Sequence, residues 1–103
     1  MTLVEMIVQE YRAAVAKHSF FADAAFDDTE LELAEQKLKT SRSKIFEEKW
    51  NGKIVGRTIL GCELDEAAVD YARGDYAKCL VELAQCAVVI IRMMEMVEKK
   101  ELP

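Results

Sequence analysis

The chain has few residues that interrupt helices. Among its 103 residues there is one proline, at the last position, and there are four glycines. Because proline and glycine are the strongest breakers of regular structure, long helices are expected. Hydrophobic residues make up 51% of the chain, which suffices for one core at this length. We therefore predict a single all-α domain that spans residues 1–103.

Patterns that form metal sites or disulfides from cysteine and histidine are also scarce. The chain has one histidine and three cysteines, Cys62, Cys79 and Cys86, with no Cys-x-x-Cys pair. An odd set of cysteines without a histidine partner indicates neither a zinc site nor a disulfide framework. We expect buried free thiols and a reducing, cytoplasmic setting.

Basic charge and long apolar runs are lacking too. The net charge of −5 argues against a nucleic-acid polymer as partner, since that needs clustered lysine and arginine. No segment reaches the roughly 18 apolar residues of a membrane span. Glu5, Glu10 and Arg12 interrupt the first apolar stretch, so no signal peptide is predicted. A small anionic substrate is still compatible, because a bound metal can reverse the local charge.

Hydrophobic spacing predicts four helices, at residues 3–17, 28–50, 58–73 and 76–99. The fourth is apolar nearly all round beyond residue 85, so we expect it at the centre of a four-helix bundle or in a subunit interface. The first loop carries Phe20, Phe21 and Phe26, which are predicted to plug one end of the bundle. His18, just after the first helix, is expected to interact with the helix end.

The third and fourth helices are predicted to form a hairpin. Gly74 and Asp75 mark its turn, since glycine suits the position after a helix and aspartate caps the next one. In an antiparallel hairpin, residues equally far from the turn face each other. Glu66 lies eight residues before Gly74, and Glu82 lies seven after Asp75. These two carboxylates are therefore expected to be neighbours.

The same arithmetic places Glu63 level with Gln85. The result is a compact cluster of three carboxylates and one amide, and carboxylates that close repel unless a positive charge lies among them. We predict a divalent metal, and oxygen ligands of this kind favour Mg²⁺ with substrate phosphates. Asp70 lies on the same face of the third helix, one turn nearer the turn, as a further candidate ligand.

Two solvent-facing helices would produce the same pattern of glutamates. Glu82, however, lies on a strip that continues through Val89 and Met93. A carboxylate on an apolar strip is costly unless it is paired, and this favours the cluster. The preceding loop, residues 51–57, carries Lys53 and Arg57 as candidate phosphate contacts, although basic residues in a loop are often only surface.

Residues 47–97 resemble the MazG-like all-α nucleoside triphosphate pyrophosphohydrolases. That family has an ExxE motif on one helix and ExxD on the next. Glu63 and Glu66 match the first motif, and Glu82 matches the first position of the second. The segments EEKW and ELAQCAVVIIR are also similar to small members of the family. Gln85 stands where the wider family has aspartate, and Cys62 where a further glutamate often precedes ExxE.

The resemblance implies hydrolysis of a nucleoside triphosphate to the monophosphate and pyrophosphate in a homodimer or homotetramer, and removal of non-canonical nucleotides is a role of this kind of enzyme. Glu63, Glu66 and Glu82 would be the catalytic metal ligands for Mg²⁺ or Mn²⁺, with Gln85 as a weaker ligand. Trp50 is a candidate base-stacking residue, or a hydrophobic plug. Gln85 and Cys62 favour an alternative, an inactive descendant that binds nucleotide or only oligomerises. A helical adaptor whose acidic patch meets a basic protein is a third hypothesis.

Overall fold

The computed structural model describes residues 1–17 and 20–103, and the regular structure in this part of the chain is helical throughout. The helices are α1 (Leu3–Lys17), α2 (Leu31–Trp50), α3 (Gly56–Ala72) and α4 (Tyr76–Glu101). The prediction of an all-α chain with four helices is confirmed. His18, predicted to interact with the end of α1, lies outside the described residues. Within the described residues, no helix is long and apolar enough to cross a membrane.

The turn between α3 and α4 has the predicted chemistry. Gly74 has a φ of 77°, a left-handed conformation that glycine adopts without strain. Asp75 caps α4, because its Oδ1 accepts a hydrogen bond from the Lys78 amide at 3.2 Å. The hairpin register therefore follows from these two residues, as expected from the sequence.

The loop between α2 and α3 is shorter than predicted. Asn51 and Gly52 end α2, as expected, but α3 begins at Gly56, two residues early. Glu48 explains the difference, because its carboxylate accepts hydrogen bonds from the Val55 amide at 2.9 Å and from the Thr58 hydroxyl at 2.7 Å. A carboxylate at a helix N-terminus also complements the helix dipole. These hydrogen bonds lower the pKa of Glu48.

The central helix is α3 rather than α4. It packs against α2 on one side and α4 on the other, whereas the Cα traces of α2 and α4 do not come within 8 Å of each other. The buried core between α2 and α3 comprises Ala34, Leu38, Cys62 and Val69. Small side chains on α3 permit this double packing, and Ala67 is fully buried. The expectation that α4 lies at the centre of the fold is therefore wrong for the single chain. The alternative, that α4 lies in a subunit interface, stays a prediction.

The helices form an open layer instead of a closed four-helix bundle. The described residues extend 44 × 42 × 19 Å. Among the helices, α1 approaches only α4, and α1 has no buried residue. Phe20 and Phe21 are 70% and 91% exposed, so they do not plug the bundle end. Phe26 does pack, with its ring 5.4 Å from that of Tyr71.

Candidate functional site

Three carboxylates meet across the α3–α4 hairpin. Glu63 and Glu66 project from α3 and Glu82 from α4, and one oxygen of each lies within 4.8 Å of the others. All three side chains are half-buried. The predicted juxtaposition of Glu66 with Glu82 is confirmed, because the turn at Gly74 sets the register that brings them together.

Gln85 completes the cluster as a hydrogen-bond donor. Its amide has two orientations of nearly the same shape, and the one that satisfies its neighbours points the nitrogen at the carboxylates. In that orientation Gln85 donates to Glu82 Oε2 at 3.1 Å and to Glu63 Oε2 at 3.2 Å. The predicted pairing with Glu63 is confirmed. In this geometry, however, Gln85 presents a donor to the cluster where a metal ligand would present its oxygen.

The negative charge of the cluster affects the pKa of Glu66. Burial raises the pKa of Glu66, and the nearby Glu82 raises it further. Arg42 of α2 opposes this effect, with its guanidinium 3.6 Å from Glu66 Oε1. The cluster therefore attracts positive charge, and the chain itself supplies one cation from a helix outside the hairpin.

A groove of about 780 Å³ opens beside the cluster, between α2 and the hairpin. Four cationic residues line it: Lys39, Arg42, Arg73 and Lys78. Four acidic residues also line it: Glu35, Glu66, Asp70 and Glu82. Phe46 contributes an aromatic ring. The groove thus combines oxygen ligands suited to a hard cation with side chains suited to an anionic, partly apolar ligand.

Asp70 lies in this groove and outside the carboxylate cluster. Its side chain is only 6% exposed, and its nearest cation is Lys78, with Nζ 3.9 Å from Oδ1. The group of carboxylates close enough to share a metal in the described residues consists of Glu63, Glu66 and Glu82. The prediction of Asp70 as a further ligand is therefore corrected. Asp70 lies one helical turn from Glu66, and its carboxylate faces Lys78.

The predicted phosphate and base contacts do not line the groove. Lys53 and Arg57 are exposed on the α2–α3 loop and the first turn of α3. Trp50 is 83% exposed, so it is not a plug, and it also lies off the groove. The four cations that do line it were not predicted from the sequence. Helical spacing could have indicated the α2 side of the groove. Lys39, Arg42 and Phe46 are three and four residues apart, which places them on one face of the helix.

The donor set fits a hard divalent cation. The three converging groups are carboxylates, which Mg²⁺ and Mn²⁺ prefer over nitrogen or sulfur ligands. Their separation of at most 4.8 Å permits shared coordination at metal–oxygen distances of roughly 2.1 Å after small side-chain shifts. Without a metal ion, Arg42 and the Gln85 amide offset part of the mutual repulsion among them.

The cysteines are not part of the site chemistry. Cys62, Cys79 and Cys86 are free and buried, as predicted. Burial raises the pKa of each thiol, and neighbouring carboxylates add to the effect. A thiol that is protonated and buried is a poor nucleophile, so these side chains serve packing.

Comparison with protein-family models, with curated proteins and with solved structures finds no match for this chain.

Proposed function

We propose that this chain hydrolyses a nucleoside triphosphate to the monophosphate and pyrophosphate, with Mg²⁺ or Mn²⁺ as cofactor. One observation carries the proposal: three carboxylates converge within 4.8 Å beside a groove that four cationic side chains line. A cluster of this kind suits a metal ion, and the cations suit phosphate oxygens. The resemblance to MazG-like pyrophosphohydrolases points to the same reaction. Removal of non-canonical nucleotides is the role that this resemblance suggests.

Each part of the site has a role in this reaction. Glu63, Glu66 and Glu82 would hold the metal, which when bound neutralises phosphate charge and lowers the pKa of an attacking water. Gln85 holds Glu63 and Glu82 in place through its amide. Arg42, already within 3.6 Å of Glu66, is positioned to contact a phosphate next to the cluster. Water then splits the bond between the α and β phosphates, and its oxygen remains on one of the two products.

Pyrophosphate release from a panel of canonical and modified nucleoside triphosphates tests the proposal. Wild-type protein is expected to release pyrophosphate only with Mg²⁺ or Mn²⁺. Glu63→Gln and Glu82→Gln should lower the rate by tenfold or more, since even residues that only support metal ligands contribute about 10- to 100-fold. Glu95→Gln, an exposed change on the same helix, serves as the control. Equal rates for Glu82→Gln and Glu95→Gln would contradict the metal role.

A second function, nucleotide binding without turnover, has its own supporting observation. The Gln85 amide and the Arg42 guanidinium both satisfy the carboxylates in the absence of a metal. A chain that has lost one anionic ligand and gained these contacts would bind Mg²⁺ weakly. Nucleotide-dependent protection against heat, with no pyrophosphate released from any member of the panel, would favour this function over hydrolysis.

We also propose that the chain forms a homodimer or homotetramer. Isolated helices of about 12–15 residues are marginal in water, yet α1 has 15 residues and buries none of them. On α4, Leu80 and Val88 are 69% and 58% exposed. A second copy covering α1 and α4 would bury these apolar side chains. The free thiols suit a reducing compartment, in keeping with a cytoplasmic protein.

Light scattering during size-exclusion chromatography tests the assembly. Wild-type protein should elute as an oligomer, and Val88→Asp should shift it towards the monomer. Phe21→Asp is the control, because Phe21 is 91% exposed and lies outside the helices. A specific oligomer with a micromolar Kd is almost fully assembled at about 100 µM. A wild-type monomer at that concentration would therefore refute the assembly.

A further inference from the structure

The groove beside the carboxylate cluster has two unlike ends. Contacts between Arg73 and Glu35 at 3.2 Å and between Arg42 and Glu66 at 3.6 Å show that α2 runs antiparallel to α3 along it. The end near the hairpin turn therefore holds Lys39, Arg73 and Lys78 together with Glu35 and Asp70, and the middle holds Arg42, Glu66 and Glu82. The far end holds Phe46. Seven residues separate Lys39 from Phe46, or roughly 10 Å along the helix axis.

Phe46 gives the far end an apolar, aromatic character. Its side chain is 70% exposed even though it lines the groove, and it lies one helical turn beyond Arg42. Its neighbour in the groove lining on α2 is the uncharged Ser43. An exposed ring at the end of a charged groove is a stacking surface for a flat base, because every base has a π-face.

The turn end is built to hold cations inside the groove. Asp70 is more than nine-tenths buried, and its Oδ1 lies 3.9 Å from Lys78 Nζ. A buried carboxylate attracts a nearby cation, so Asp70 favours the conformation of Lys78 that points into the groove. Arg73 pairs with Glu35, and both side chains are 49% exposed. An exposed pair of this kind is weak and readily gives way to a phosphate.

We infer that the groove binds a nucleoside triphosphate in one direction, with its base against Phe46 and its terminal phosphates among Lys39, Arg73 and Lys78. The inference rests on the proposed function and adds an orientation to it. The linkage between the α and β phosphates then lies beside Glu66 and Glu82, midway along the groove. The departing pyrophosphate stays at the turn end, where the cations hold it.

Binding measurements with two probes test this orientation in the presence of Mg²⁺. The probes are a nucleoside 5′-triphosphate with an α,β-methylene bridge, which resists hydrolysis between these phosphates, and inorganic tripolyphosphate, which has no base. Phe46→Ala should weaken binding of the nucleotide roughly 5- to 100-fold and leave tripolyphosphate binding unchanged, as expected for one lost stacking contact. Trp50→Ala, one turn further along α2 and off the groove, is the matched control and should change neither.

Lysine variants test the turn end. Lys78→Gln should weaken binding of both probes about tenfold or more, whereas Lys44→Gln, an exposed change on α2 outside the groove, should not. Three results would overturn the orientation alone, provided that the wild type releases pyrophosphate: equal effects of Phe46→Ala and Trp50→Ala, loss of tripolyphosphate binding in Phe46→Ala, or unchanged binding of both probes in Lys78→Gln. A wild-type chain that binds neither probe and releases no pyrophosphate would instead refute the proposed function, and the orientation with it.

Discussion

Glu82→Gln should stabilise the metal-free protein and abolish its stabilisation by Mg²⁺. The substitution removes one of three negative charges whose oxygens lie within 4.8 Å of one another. At 4.8 Å, two unit charges repel by about 0.9 kcal/mol in water and by about 3.5 kcal/mol at an effective dielectric constant near 20. Glu82 faces two such charges. Arg42, 3.6 Å from Glu66, and the Gln85 amide already offset part of this repulsion.

We therefore expect a net gain of about 1–2 kcal/mol in the free energy of unfolding without metal. For a domain of this size, each kcal/mol corresponds to a rise in Tm of about 4–8 °C. In wild-type protein, Mg²⁺ at ten times its Kd should add about 1.4 kcal/mol, because it binds only the folded chain. The variant should lose most of that second gain, since it has lost a ligand.

Thermal unfolding followed by circular dichroism, in EDTA and across a Mg²⁺ titration, measures both effects. Glu95→Gln is the control, and it should leave the EDTA value and the Mg²⁺ response unchanged. A lower Tm for Glu82→Gln in EDTA would show that repulsion among the three carboxylates does not destabilise the metal-free protein. An unchanged Mg²⁺ response in that variant would place the metal somewhere other than on Glu82.

Three further predictions concern the frame that holds the site. Leu38→Ala, in the core between α2 and α3, should lower the urea-derived stability by about 2–5 kcal/mol, and a loss below about 1 kcal/mol would contradict the packing described. Glu48 has a lowered pKa in the folded chain, so it stabilises the fold above its ordinary pKa, and that contribution is lost as the pH falls through the folded value. Glu48→Gln should therefore flatten the acid side of the stability profile, unlike the exposed Glu47→Gln. Asp75→Ala should cost about 1 kcal/mol in chemical denaturation, and Asp75→Asn much less; equal losses would argue against the cap.

The hairpin could be predicted from the sequence because its determinants are local. Gly74 and Asp75 fix where one helix ends and the next begins, and counting outward from them places Glu66 opposite Glu82. Helical periodicity does the rest over such short distances. The same counting predicts that Glu63 and Gln85 lie next to each other, and the structure confirms this contact.

The groove could not be predicted in this way, because it depends on how α2 docks on α3. Periodicity identifies the buried stripe of α2 through Ala34 and Leu38, but it does not say which flank of that stripe faces the hairpin. The sequence therefore does not show that Lys39 and Arg42 face the hairpin, and the loop residues Lys53 and Arg57 were the predicted phosphate contacts. The central position of α3 was missed for a related reason, since the hydrophobicity of α4 gives no information on which of its faces a single chain can cover.

The separation of α2 from α4 divides the site between two units of the chain. The carboxylates belong to the α3–α4 hairpin alone, whereas Lys39, Arg42 and Phe46 belong to α2, which contacts the hairpin only through α3. Substitutions on the exposed positions of α2 can therefore alter the wall that faces a ligand without moving the carboxylates. Under the proposed function, substitutions at Lys39 and Phe46 would alter ligand preference and leave the metal ligands in place, whereas Arg42, 3.6 Å from Glu66, would affect both.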